Sequence, residues 1–101
     1  MLRLKVRFED TDRSQALEDY AEKRLTKLGD YFDKDYDAVV NVKTYPDKSG
    51  KVEFNLRADS VDYKSVATGW DLYKLIDLVN DRTARQIRKR KTVTNRKLRQ
   101  I

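Results

Sequence analysis

The 101-residue chain has no cysteine and no histidine, one proline, three glycines and one tryptophan. Without cysteine there can be no disulfide framework and no thiolate-ligated metal, which suits a reducing compartment. Without histidine, the side chain that most often serves as acid, base or metal ligand near neutrality is missing. Carboxylates, lysines and tyrosines remain, and all are common on a charged surface, so no catalytic apparatus, cofactor site or small-molecule substrate is legible. Long apolar runs are also lacking. Met1-Leu2-Arg3 passes directly into alternating polar and apolar residues, which reads as no signal peptide and no spanning segment and predicts a soluble, cytoplasmic protein. With 39% hydrophobic and 10% aromatic residues the chain is rich enough to fold, and its length fits one domain with a modest core.

What is present is charge, unevenly placed. From Arg82 to Ile101 there are nine basic residues and no acidic one, whereas the rest of the chain holds 14 Lys and Arg against 17 Asp and Glu. The net charge of +6 is therefore local, a pattern that points to a polyanionic partner. Complementing a helix dipole would take two or three cations, and nine exceed that need. Nucleic acid is the favoured partner, with an anionic membrane surface as the competitor.

Periodicity gives the elements. Leu2, Leu4, Val6 and Phe8 alternate with Arg3, Lys5, Arg7 and Glu9, the period of a half-buried strand. Asp12-Arg13-Ser14 offers N-caps for an amphipathic helix running to about Gly29, with Leu17, Ala21, Leu25, Leu28 and Phe32 inward. On its outer side Glu18, Asp19 and Glu22 lie toward one flank and Lys23, Arg24 and Lys27 toward the other. Ala38, Val40 and Val42 mark a second strand, Pro46 to Gly50 a hairpin turn, and Val52, Phe54, Leu56 and Ala58 the return. Asp59 to Asp62 is read as another turn, and Tyr63, Ser65 and Ala67 as the inward side of a fourth strand. Thr68 or Asp71 can cap a long second helix. That helix turns Leu72, Leu75, Ile76, Val79, Thr83 and Ile87 to one side, and Lys74, Arg82, Arg85, Arg88 and Lys89 to the other. The β-α-β-β-β-α order predicts an α+β fold: a two-layer sandwich with a four-stranded mixed sheet, both helices on one face, similar to a double-stranded-RNA-binding domain. Residues 1–91 are expected to form the domain and 92–101 a flexible basic tail, because the apolar repeat stops at Thr92.

The element order and the run DLYKLIDLVNDRTARQIRKRK resemble the ribosome hibernation promoting factor family, also called ribosome-associated inhibitor or sigma-54 modulation proteins. Asp71, Leu72, Tyr73, Ile76, Asp77, Asp81, Arg82, Arg85, Gln86, Ile87 and Lys89 fit that family's second-helix pattern, and Tyr20 to Leu28 fits its first helix. Trp70, Leu75 and Thr83 depart from it, Thr83 standing where a core leucine is usual and predicting looser packing of the last helical turns. The resemblance implies a protein, monomeric away from the ribosome, that binds rRNA of the small ribosomal subunit in the mRNA and tRNA channel near the decoding centre. It would hold idle ribosomes inactive under stress by occlusion, without catalysis. Carried over residue by residue, it nominates Lys23, Arg24, Lys27, Arg82, Arg85, Arg88 and Lys89 as rRNA-binding, and Lys64 on the fourth strand. The alternatives are a general RNA-binding or RNA-chaperone domain with no fixed ribosomal site, a nuclease using acids such as Asp77 and Asp81, and a peripheral membrane protein.

Overall fold

The computed structural model describes residues 1–99, with side chains described as far as Lys91. Strand β1 spans Leu2–Glu9, helix α1 Gln15–Leu25 with a 3₁₀ extension Thr26–Tyr31, β2 Tyr36–Thr44, β3 Gly50–Ala58, β4 Val61–Gly69 and helix α2 Leu72–Arg99. The strands lie in the order β1-β2-β3-β4 in one four-stranded sheet. The crossover through α1 makes β1 parallel to β2, and the two hairpins are antiparallel. Helix α1 packs on β1, α2 on β3 and β4, and the two helices on each other, so both cover the same sheet face. Val40, Val42, Val52, Phe54, Ile76, Val79 and Ile87 are wholly buried between the layers, as the alternation predicts.

Caps and turns follow local chemistry. The Ser14 hydroxyl accepts from the Leu17 amide at 3.2 Å, starting α1. At its other end the Thr26 hydroxyl donates to the Glu22 carbonyl at 2.5 Å, and beyond this point the regular helix expected to reach Gly29 tightens into the 3₁₀ turn. Gly29 then passes under the start of β1, where a Cβ would lie 2.7 Å from the Leu2 backbone nitrogen. Of the two candidate caps for α2, Asp71 serves: its carboxylate accepts from the Tyr73 and Lys74 amides at 3.0 and 3.4 Å. The turn between β3 and β4 is tighter than expected. Only Asp59 and Ser60 form it, with φ of 52° and 63°, while Val61 and Asp62 already pair with Ala58 and Arg57. Successive left-handed residues match the twist of a hairpin, and Asp tolerates that conformation without glycine.

Thr83 corrects a sequence expectation. It is fully buried, and its hydroxyl lies 2.8 Å from that of Ser65 on β4, also buried. A polar residue in place of leucine is thus matched by a polar partner on the strand it covers, and the packing is closed rather than loosened. Thr83→Val should cost about 1–3 kcal/mol, because the buried Ser65 hydroxyl loses its closer partner and keeps only a 3.4 Å contact from the Gln86 amide, whereas Ser65→Ala with Thr83→Val should cost much less than the sum of the two single changes. Chemical denaturation of the three variants measures the coupling, and additive costs would show that the two hydroxyls do not interact. Helix α2 continues through Arg99. The expected basic tail, residues 92–101, lies outside the residues whose side chains are described.

Candidate nucleic-acid interface

Helices α1 and α2 run side by side, and on the outer surface they frame a cleft of about 350 Å³. Arg24, Lys27, Leu28 and Tyr31 line it from α1 and its extension, and Asn80, Asp81, Ala84, Arg85 and Arg88 from α2. Four cations therefore face one acid across a concave surface. The spacing explains the meeting: Arg24 and Lys27 are separated by three residues on one helix, as are Arg85 and Arg88 on the other, so each pair forms a short ridge.

One end of the cleft is tied together. The Asp77 carboxylate accepts from the Tyr20 hydroxyl at 2.7 Å and pairs with the Arg24 guanidinium at 2.9 Å, linking α1 to α2. The hydrogen bond to Asp77, with desolvation adding to it, raises the Tyr20 phenol above its ordinary pKa. Tyr73 stacks edge-on against Tyr20 at 5.2 Å between centroids. Asp77 and Tyr73 thus tie α2 to α1 at this end of the cleft. At the other end Lys91 donates to the Tyr31 carbonyl and sits 4.9 Å from the Phe32 ring centroid. Nothing local in the sequence marks that clasp, because its partners are 60 residues apart.

The eight nominated cations fall into three groups. Arg24, Lys27, Arg85 and Arg88 come together in the cleft. Lys23 and Lys89 are exposed outside its lining. Arg82 and Lys64 are elsewhere: Arg82 donates to the Val66 carbonyl of β4, and Lys64 is ion-paired with Glu53 at 3.1 Å on the open sheet face. Lys89 follows Arg82 by one heptad and so returns to within about 20° of it around the helix, on the β4 side. The basic residues of α2 therefore divide between two flanks, which a single outer face drawn from periodicity does not resolve. Among the described residues Lys23, Lys27, Arg85, Arg88 and Lys89 have no hydrogen-bonding or ion-pairing partner, whereas Arg24, Arg82 and Lys64 are engaged within the protein. The unpaired charges keep their full capacity to neutralise an external anion.

Among the described residues no group of three or more acids is placed to hold a metal ion, and no helix is long and apolar enough to cross a membrane. Of the two acids considered for nuclease chemistry, Asp77 is committed to Tyr20 and Arg24, and Asp81 lines the cleft.

Comparison with known proteins agrees with the architecture. The chain is 41% identical over 97 residues to the ribosome hibernation promotion factor of Bacillus subtilis, covering 94% of this chain and 51% of that protein. It is 36% identical over 101 residues to the factor of the same name from Staphylococcus aureus, covering 98% and 53% respectively. The chain spans about half the length of these curated relatives. Its fold superposes on the N-terminal domain of Thermus thermophilus Protein Y with a TM-score of 0.79 at 26% identity, over 88% of this chain and 98% of that one. A ribosomal subunit interface protein from Coxiella burnetii shares the fold with a TM-score of 0.72 at 21% identity, over 91% and 99%. The sequence profile of the sigma 54 modulation protein / S30EA ribosomal protein family matches residues 4–95, and this chain belongs to that family.

Proposed function

We propose that this chain is a ribosome-binding module that takes part in hibernation, acting in the cytoplasm as a binding protein and not as an enzyme. Its site is rRNA of the small subunit in the channel used by mRNA and tRNA near the decoding centre, and it inhibits translation by occupying that channel. The observation that carries this reading is the cleft between α1 and α2, where Lys27, Arg85 and Arg88 stand unpaired beside Arg24. Folded rRNA presents closely spaced phosphates, and a rigid body with two cationic ridges can neutralise several at once while paying little ordering entropy. The relatives named as hibernation promotion factors support the ribosome as the source of those phosphates.

Sedimentation through sucrose gradients tests the proposal. At low salt the protein should migrate with small subunits and whole ribosomes, and an excess of unrelated structured RNA should fail to strip it from them. Protein confined to the top fractions would overturn ribosome binding. Release by any structured RNA at equal concentration would favour a general RNA-binding domain.

A further inference from the structure

A sheet ordered β1-β2-β3-β4 has two free edges, and an unpaired edge is a template for another strand. The two edges of this sheet are defended differently. On β1 the residues facing away from the core include Arg3, Lys5 and Arg7, and like charges of that density oppose pairing of one β1 with another. On β4 the outward residues are Asp62, Lys64, Val66 and Thr68, a mixed and nearly neutral set that offers no such repulsion.

What β4 has instead comes from α2. The Arg82 guanidinium donates to the Val66 carbonyl, and the Gln86 amide donates to the Lys64 carbonyl at 3.0 Å. Lys64 and Val66 share one alternation of the strand, and an antiparallel ladder turns the backbone groups of alternate residues toward and away from its partner. Arg82 and Gln86 are four residues apart on α2, so they lie one above the other and reach adjacent acceptors of the same edge. Gln86 also approaches the buried Ser65 hydroxyl at 3.4 Å, which holds its side chain along the strand.

We propose that Arg82 and Gln86 close the free edge of β4 against strand pairing with a second copy of this chain. Two acceptors that an incoming strand would need are already filled, and two side chains occupy the space it would enter. The whole of β4 could pair with its own copy in an antiparallel register centred on Ser65, where Lys64 of one chain would meet Val66 of the other and Asp62 would meet Thr68, so that no like charges face each other. This assignment gives Arg82 a role on the protein's own backbone, and it stands whether or not the chain binds ribosomes.

Sedimentation equilibrium of the Arg82→Ala, Gln86→Ala double variant tests it. The variant should self-associate at least tenfold more tightly than the parent, and adding Val66→Pro, which removes an edge amide, should reverse the gain. Association unchanged from the parent, or unaffected by Val66→Pro, would overturn the proposal. Should the double variant fail to fold, the parent itself decides the matter by NMR: scalar coupling across the hydrogen bond from the Gln86 side-chain amide to the Lys64 carbonyl carbon is expected. Its absence would show that the acceptor is open.

Discussion

Replacing Lys27, Arg85 and Arg88 together with alanine is expected to weaken binding to small subunits roughly a hundredfold at physiological salt, with the fold unchanged. Each side chain is unpaired, so its removal orphans no acid within the protein. If each phosphate contact supplies about 1 kcal/mol, three give about 3 kcal/mol, or two powers of ten. Salt dependence provides the sharper check. The slope of log affinity against log salt should become shallower by about two to three, one unit or slightly less per lost phosphate. Binding measured by filtration or sedimentation across a salt series gives both numbers, and a variant with the parent's slope would place the RNA on another surface. By the same logic Arg82→Ala should change the slope little, because Arg82 is held by the Val66 carbonyl.

Ile76→Asp should unfold the chain. Ile76 has no exposed surface and lies in the core between α2 and the sheet. An aspartate there would be charged without a partner, or neutral at the cost of a strongly raised pKa, and in either form it forfeits the buried isoleucine contacts. The combined loss of about 5 kcal/mol or more is comparable to the whole stability of a domain this size. Circular dichroism and a urea titration would measure it. A cooperative transition at the parent's midpoint would mean that the core is not where the burial places it.

The sequence revealed the parts of this molecule that obey short periods. Alternation marked the inward residues of all four strands, and three- and four-residue recurrence marked the buried stripe of α2 from Leu75 to Ile87. Capping chemistry narrowed the start of α1 to Asp12-Arg13-Ser14, where Ser14 serves, and that of α2 to Thr68 or Asp71, where Asp71 serves. Less visible was whatever depends on residues far apart in the chain. Periodicity put Arg82 and Arg88 on one outer side of α2, yet β4 passes beneath one flank of the helix and α1 beside the other, and this separates them. Similarly, Lys64 lies where its resemblance suggested a basic contact, but Glu53 on the neighbouring strand holds it. Charge content pointed to a polyanionic partner. Which cations are available was decided by tertiary partners that no local window contains.

The hydroxyl pair in the core has a consequence for grafting. Ser65 and Thr83 satisfy each other across 18 residues of chain, from a strand to a helix. The two are coupled: a leucine at 83 would leave the serine only the 3.4 Å contact from Gln86, and an apolar residue at 65 would take away the threonine's partner. Grafting onto this sheet a long helix that carries leucine at 83 should therefore be accompanied by an apolar residue at 65, which removes the hydroxyl that the leucine cannot satisfy.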